Sequence, residues 1–251
     1  MSSYARWLGL SLSMVGCLAL TRSVAAQEPA GGRAPAASAP GNDPLLARID
    51  HLIYATPALQ RGIEEIEQTL GVRATMGGQL GGTLNALVSL GPSMFLEILA
   101  PDHSQPAQGG PRPFRLDELK ASKLVTWAVS ETDLEPVKSE SAAKGMPLGE
   151  IRTGERKQTN GELLSWRFTT SGRARIDGIS IFPFFIQWTT PNPARTSAKG
   201  ATLVGLRAEH PDPAGQQRLI QRFGLNLIVR AGPAPALIAI IDCPRGRVEL
   251  R

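Results

Sequence analysis

The sequence predicts an α+β fold made of three copies of one βαβββ unit. Strand-like and helix-like stretches recur in the same order three times after residue 45. The copies also align at constant shifts, because TWAVSETDLEPV (126–137) and GLRAEHPDPAGQ (205–216) both fall under HLIYATPALQRG (51–62). A strand followed by a helix is common, but recurrence of the whole order is typical of a repeat architecture.

The first unit shows each element clearly. Ile49–Ala55 predicts a strand, and Thr56 followed by Pro57 predicts a helix start with Thr56 as its N-cap. Apolar residues then recur at helical spacing: Leu59, Ile63, Ile66 and Leu70. Three further strands are predicted at about 72–77, 83–90 and 94–99.

The other two units follow the same plan. In the second unit, strands are predicted near 148–152, 162–169 and 180–188, after a strand and helix that begin near Thr126. In the third unit they are predicted at about 226–231, 236–242 and 246–250. The three predicted modules therefore cover about 45–105, 120–190 and 200–251.

The stretch before these units predicts export. Arg6 precedes an apolar run from Leu8 to Leu20, and small residues follow up to Ala26, which is the pattern of a secretory signal peptide over 1–26. We expect a periplasmic or secreted protein. MVGC at 14–17 resembles a lipoprotein box, so a lipid anchor at Cys17 is the alternative. Residues 27–44 are rich in Ala, Gly, Pro and Ser and predict a flexible linker.

Composition excludes several classes of function. Loss of residues 1–26 removes two arginines and no acid, which lowers the net charge from +5 to +3. No basic run resembles a phosphate-binding stripe, so nucleic acid is not an expected partner. No later segment has the roughly 20 apolar residues of an integral membrane span. The sequence also lacks a serine nucleophile elbow, a cysteine–histidine pair and a dinucleotide fingerprint, which disfavours nucleophilic catalysis.

His51 and Glu97 are polar residues on strands that are otherwise apolar. Alternation puts His51 on one face with Ile49 and Ile53, and Glu97 on an equally apolar face of its own strand. A buried carboxylate needs a cation, a hydrogen-bond donor or a metal. If the two strands lie in one sheet, the imidazole and the carboxylate can bind a divalent metal together. A structural hydrogen bond between them is the alternative.

The repeat places two more candidates at equivalent positions. Glu97 corresponds to Gln187 in the second unit and to Glu249 in the third. Glu249 is therefore a candidate metal ligand and catalytic group, although its neighbours Arg247 and Arg251 also fit a salt-bridged edge. Gln187 is a candidate for substrate binding, with a buried amide bonded to backbone as its alternative.

Two polar segments complete the candidates. Thr83 and Asn85 share one face of their strand and are predicted to line a cavity as substrate-binding residues. RTGERK at 152–157 could bind an anionic substrate, but a solvated turn is the favoured interpretation. His103, in a loop after the strand of Glu97, could act as an acid or base or be merely exposed.

In combination, IDHLIYAT, GGQLGGTLNALVSLG, FLEILAPD, FPFFIQW and PRGRVEL resemble the glyoxalase-like domain family of the vicinal oxygen chelate superfamily, over about residues 45–251. The resemblance implies paired βαβββ modules whose curled mixed sheets surround a cleft. It also implies a divalent metal, such as zinc, nickel, manganese or ferrous iron, that binds adjacent oxygens of a small substrate.

The same resemblance places His51, Glu97 and Glu249 at ligand positions. Members like this usually carry a further histidine in the glycine segment, at about Leu80 here. A cleft requires two modules, so either units one and two share it or units one and three do. Glu249 is a ligand only in the second arrangement.

Two functions from different classes are expected. One is a metal-dependent lyase, isomerase or dioxygenase, with the metal as Lewis acid. The other is a protein that binds or sequesters a small molecule without converting it. The retained His51 and Glu97 favour the metal, and the missing histidine favours binding alone. The spare module leaves room for a homodimer.

Overall fold

The computed structural model describes residues 43–106, 111–158, 161–170 and 178–251. The predicted signal peptide, the alternative anchor at Cys17 and nearly all of the predicted linker lie outside the described residues. None of the described helices is long and apolar enough to cross a membrane.

Each unit has the predicted order of one helix and four strands. Unit one contains β1 (Ile49–Ala55), α1 (Leu59–Leu70), β2 (Thr75–Leu80), β3 (Thr83–Ser89) and β4 (Phe95–Pro101). Unit two contains β5 (Lys123–Ser130), α2 (Leu134–Ala143), β6 (Ile151–Lys157), β7 (Leu163–Thr169) and β8 (Phe184–Trp188). Unit three contains β9 (Thr202–His210), α3 (Pro213–Gln221), β10 (Ile228–Ala231), β11 (Ala236–Cys243) and β12 (Gly246–Leu250). Short 3₁₀ helices lie at Leu46–Arg48, Pro113–Glu118 and Pro193–Arg195.

Units one and two share one sheet, and unit three has its own. The shared sheet has eight strands in the order β2-β3-β4-β1-β5-β8-β7-β6, and the other has four in the order β10-β9-β11-β12. The units join at β1, which pairs in parallel with β4 and antiparallel with β5. The predicted fold class is confirmed, and the shared cleft belongs to units one and two.

The eight-stranded sheet curls until its two edge strands approach each other. A Cβ atom built on Gly78 of β2 would lie 2.9 Å from the carbonyl oxygen of Lys157 at the end of β6. This close approach is what a glycine permits. The sheet thus has a concave side, called the inner face below, which includes His51, Glu97 and Asn85.

The two sides of the sheet are packed differently. The outer side carries the main apolar core, which includes Leu52, Leu96 and Trp127 and continues into the four-stranded sheet. On the inner side, smaller apolar clusters form around Phe114 and around Phe95. His51 and Glu97 therefore sit among apolar side chains on the inner face.

The first helix begins later than predicted. Its N-cap residue is Ala58, which has no side chain able to cap, and the helix starts at Leu59. The Thr56 hydroxyl instead donates to the carbonyl oxygen of Ala58 at 3.1 Å. The prediction of Thr56 as N-cap is therefore wrong, because the hydroxyl stabilises the turn before the helix. The helix ends at Gly71, whose φ of 73° is left-handed, as in many helix ends that use glycine.

Candidate functional site

Strand register brings the polar residues of unit one together on the inner face. In the parallel pair of β1 and β4, His51 lies opposite Phe95, and Ile53 lies opposite Glu97. Across β3 and β4, Asn85 lies opposite Leu99, two residues beyond Glu97. His51, Glu97 and Asn85 thus occupy neighbouring positions on three adjacent strands.

A β-bulge turns Asp50 towards His51. On β5, Ile49 pairs with Val129 and His51 pairs with the very next residue, Ala128, so Asp50 is the extra residue on β1. The Asp50 Oδ1 atom then lies 2.7 Å from Nδ1 of His51. Strict alternation predicted that Ile49 shares the face of His51, and this is wrong. The bulge leaves Ile49 in the outer core instead.

The Asp50 carboxylate is fully buried and well bonded. Its Oδ2 atom accepts hydrogen bonds from Nε1 of Trp188 at 2.9 Å and from Nδ2 of Asn192 at 3.0 Å. Because an ionised carboxylate only accepts hydrogen bonds, Nδ1 of His51 must be the donor in their contact. This leaves Nε2 of His51 facing the other way, towards Glu97. The sequence analysis missed Asp50, although a carboxylate on an otherwise apolar strand could have indicated it.

His51 and Glu97 face each other at slightly more than hydrogen-bond distance. Nε2 of His51 lies 3.8 Å from Oε2 of Glu97. The imidazole stacks on Phe95 at 4.7 Å between ring centres and meets the edge of Phe184 at 5.4 Å. The side chain of His51 is 4 % exposed and that of Glu97 is 18 % exposed. Glu97 is therefore the member of the pair that a ligand reaches first.

Asn85 links Glu97 to a buried arginine from unit two. Its Nδ2 donates to Oε1 of Glu97 at 2.5 Å, and its Oδ1 accepts from Nη1 of Arg156. Arg156 is 7 % exposed, and its Nε is buried with no hydrogen-bond partner among the described residues. Burial lowers the pKa of Arg156, and the charge of Glu97 opposes that shift. The favoured prediction of a solvated turn at 152–157 is wrong, because these residues lie in strand β6.

Gly77 supplies the space that Asn85 and Arg156 fill. A Cβ atom built on Gly77 would overlap Oδ1 of Asn85 and would lie 2.8 Å from Nη1 of Arg156. The space that a side chain at position 77 of β2 would fill is therefore taken in part by Arg156, which comes from the opposite edge strand of the sheet. Leu80, where the resemblance expects a histidine, ends β2 with 42 % exposure.

The other predicted site residues do not join this group. The Thr83 hydroxyl donates to the carbonyl oxygen of Leu80 at 2.7 Å, across the turn between β2 and β3. Gln187 donates to the carbonyl oxygen of Thr132 at 2.7 Å, beside the start of α2. His103 lies exposed in the loop after β4.

Glu249 belongs to the four-stranded sheet, apart from His51 and Glu97. Its Oε1 accepts from Nη2 of Arg207 at 2.7 Å, and its side chain is 49 % exposed. The Arg207 guanidinium lowers the pKa of Glu249 from its usual value. The arrangement that would make Glu249 a ligand, with units one and three sharing a cleft, is not the one observed. The salt-bridged edge, which was its alternative, describes its surroundings.

The side chains around His51 and Glu97 do not fit a resident divalent metal. Catalytic zinc typically has three protein ligands. Here two donor atoms face each other, and residues 43–106, 111–158, 161–170 and 178–251 contain no group of three or more His, Cys, Asp or Glu that could hold a metal. The remaining side is formed by Gly77, by the Asn85 amide and by the Arg156 cation, which repels a second cation.

A separate cleft of about 360 Å³ lies outside this group. It is lined by residues of the 3₁₀ helix Pro113–Glu118, by the start of β5 and by the loop before β11. Arg115 and Glu118, which line it, form an ion pair with each other. Since none of the polar residues on the inner face lines this cleft, we place the candidate site at His51 and Glu97.

The Asp50 contact predicts one tautomer of His51. We expect the neutral ring to carry its proton on Nδ1, and we expect Asp50→Asn to weaken that preference because a neutral amide replaces the carboxylate. The ¹⁵N chemical shifts of the ring nitrogens measure this directly. His103→Gln and His210→Gln simplify the assignment, since the chain has three histidines. A neutral ring in the unmodified protein whose single proton is on Nε2 contradicts the prediction.

Comparisons with known proteins agree with this fold. A family model described as a glyoxalase-like domain matches residues 49–224. No curated protein matches the chain in sequence. A hypothetical protein from Staphylococcus aureus is 15 % identical, with 80 % of this chain and 83 % of that chain covered and a TM-score of 0.51. Methylmalonyl-CoA epimerase from Mycobacterium tuberculosis is 18 % identical, with 57 % and 88 % covered and a TM-score of 0.36.

The first of these structures shares the fold, and the family model identifies the family. Its match extends from the first strand of unit one to the end of the helical region of unit three, which is more than half of the 251 residues. The chain belongs to the glyoxalase-like domain family of the vicinal oxygen chelate superfamily.

Proposed function

We propose that the chain is an enzyme of the lyase or isomerase type that moves a proton on a small substrate with adjacent oxygens. The observation that carries this proposal is the facing pair of His51 Nε2 and Glu97 Oε2, 3.8 Å apart, with Asp50 behind the imidazole. A carboxylate and an imidazole at this separation can serve two neighbouring atoms of one substrate.

Glu97 is suited to act as the base. The Asn85 amide is bonded to Oε1, so Oε2 is directed towards the space in front of His51. From there it removes a proton from a carbon next to a carbonyl group, and the electron pair of the broken C–H bond moves onto the carbonyl oxygen. The same carboxylate returns the proton to carbon or passes it to a leaving group.

His51 is suited to stabilise the oxygen that becomes negative. When protonated, the ring donates Nε2–H to that oxygen, and the Asp50 carboxylate offsets the positive charge from the Nδ1 side. Phe95 and Phe184 hold the ring in place and limit water around it. In such surroundings an electrostatic contact is stronger than in bulk water.

A small-molecule binding protein is the second candidate function. It is favoured by the near-complete burial of His51, which leaves Glu97 as the accessible member of the pair. In this form the cleft would hold the molecule and return it unchanged. The dioxygenase type, which the sequence analysis also expects, depends on a metal. It therefore stays a prediction together with the metal that the resemblance implies.

Hydrogen exchange in D₂O separates the two functions. Compounds with adjacent oxygens, such as 2-oxo acids and 2-hydroxy ketones, are incubated with the protein, and loss of the C–H signal is followed by NMR. We expect Glu97→Gln and His51→Ala to slow exchange by about 10²- to 10⁴-fold. Glu67→Gln, at a partly exposed residue of α1 that is paired with Arg73, is the control that keeps the rate. Exchange that survives Glu97→Gln contradicts the proposed base, and binding without exchange supports the second candidate.

Elemental analysis tests the metal implied by the resemblance, which stays a prediction. Purified residues 27–251, prepared without chelator and then supplied with zinc, nickel, manganese or ferrous iron, are compared with His51→Ala and Glu97→Gln. The donor set leads us to expect less than stoichiometric metal in all three. Stoichiometric metal that both substitutions remove would replace our proposal with the metal-dependent form.

Export is also a proposal, supported by the signal-peptide pattern over 1–26. We expect the full chain, expressed in a bacterium, to be recovered outside the cytoplasm with Gln27 as its first residue. N-terminal sequencing or intact mass measures this. A product that begins at a lipid-modified Cys17 would favour the anchored alternative, and an uncleaved cytoplasmic chain would contradict export.

A further inference from the structure

The Arg156 guanidinium is a buried cation with little compensation from the protein. It is 7 % exposed, and its Nη1 donates to a neutral group, the amide oxygen of Asn85. Its Nε has no partner among the described residues. Buried charges are usually paired, because removing an ion from water costs several kcal/mol. Among the residues that the structure describes, Arg156 therefore has no carboxylate bonded directly to it, although its burial calls for an anionic partner.

Glu97 does not fill that role directly. Glu97 raises the pKa of Arg156 through its charge, but the Asn85 amide stands between them and bonds both side chains. A guanidinium has five N–H donors in one plane, and its fork matches a carboxylate. An anion from outside the chain would complete these contacts.

Aromatic side chains follow Arg156 along the inner face. Gly154, two residues before it on β6, has no side chain, and Trp166 lies against that position. The ring centres of Trp166 and Trp188 lie 5.4 Å apart, and the indole nitrogen of Trp188 donates to Asp50. Aromatic walls thus extend from Arg156 to the carboxylate behind His51, and a small planar molecule suits such walls.

A second orphan group lies on the same face. The Thr126 hydroxyl is buried and has no hydrogen-bond partner among the described residues. Thr126 pairs with Ile53 on β1, and Ile53 pairs with Glu97 on β4, so the hydroxyl shares a row of the sheet with the proposed base. Buried polar groups without partners are uncommon in folded proteins. Two of them on one inner face indicate a place for a polar ligand.

We propose that Arg156 anchors the anionic group of the substrate, so that the cleft selects carboxylate-bearing molecules. This proposal rests on the proposed function, because that function places the substrate in the cleft beside His51 and Glu97. Binding can be measured without turnover, so the two proposals fail separately. A role limited to closing the seam between β2 and β6 is the structural alternative.

The test compares two small molecules of nearly equal shape. Oxamate carries a carboxylate beside an amide, and oxamide replaces that carboxylate with a second neutral amide. We expect oxamate to quench tryptophan fluorescence saturably and to raise the melting temperature of the unmodified protein, and we expect oxamide to do neither at the same concentration. These measurements need no substitution.

Three arginine variants then locate the anion. Arg156→Gln removes the charge and should weaken oxamate binding by about tenfold or more. Arg156→Lys keeps the charge without the planar fork and should recover part of the affinity. Arg152→Gln, at an exposed position of the same strand, should bind like the unmodified protein.

Several results would overturn the anchor. They are equal affinity for oxamate and oxamide, no saturable oxamate binding to the unmodified protein, undiminished binding by folded Arg156→Gln, and equal losses in Arg152→Gln and Arg156→Gln. If Arg156→Gln fails to fold, the oxamate and oxamide comparison and the Arg156→Lys affinity decide instead. Loss of exchange activity in Glu97→Gln with oxamate binding intact would support both proposals.

Discussion

The buried carboxylate of Asp50 is the constraint on which the rest of the site depends. An ionised carboxylate with no solvent exposure is stable only when donors satisfy its oxygens. His51 is the neighbour on the same strand, but Trp188 comes from unit two and Asn192 from the segment that follows it. The contact therefore requires that the two units join at β1 and β5, and the same contact fixes the orientation of the imidazole.

A second contact joins the units at the opposite edge of the sheet. Arg156 of unit two reaches Asn85 of unit one across the seam between β2 and β6, and Asn85 then bonds Glu97. Each member of the facing pair is thus positioned by unit two, one through Asp50 and the other through Asn85. Unit three bonds to unit one elsewhere, where the N–H of Leu203 donates to the carbonyl oxygen of Leu90. Its carboxylate Glu249 is half exposed and pairs with Arg207, and ion pairs near the surface contribute little to stability.

The sequence predicts those parts of the fold that depend on local residue patterns. The βαβββ order follows from periodicity, and His51 and Glu97 stand out because each is polar on an apolar strand. Asp50 was not identified as a site residue, because strict alternation places its side chain on the outer face. The bulge that turns it towards His51 depends on the pairing with β5, which the sequence of β1 does not reveal. Arg156 lies in a polar segment, and only the curl of the sheet brings it to Asn85. Glu249 was identified from its equivalent position in the repeat, but unit three forms a separate sheet and Glu249 therefore lies apart from His51 and Glu97.

Position 77 shows how one residue decides between two kinds of site. A longer side chain there would point from β2 towards Asn85, and could supply the third ligand that a metal beside His51 and Glu97 lacks. Glycine instead leaves that volume to the Asn85 amide and the Arg156 guanidinium. The two arrangements exclude each other, because a ligand at position 77 and the arginine need the same space and because a metal cation and a neighbouring guanidinium repel each other. The fixed positive charge in this space therefore comes from the protein itself, and the proposed proton transfer by the facing pair takes that charge as its starting point.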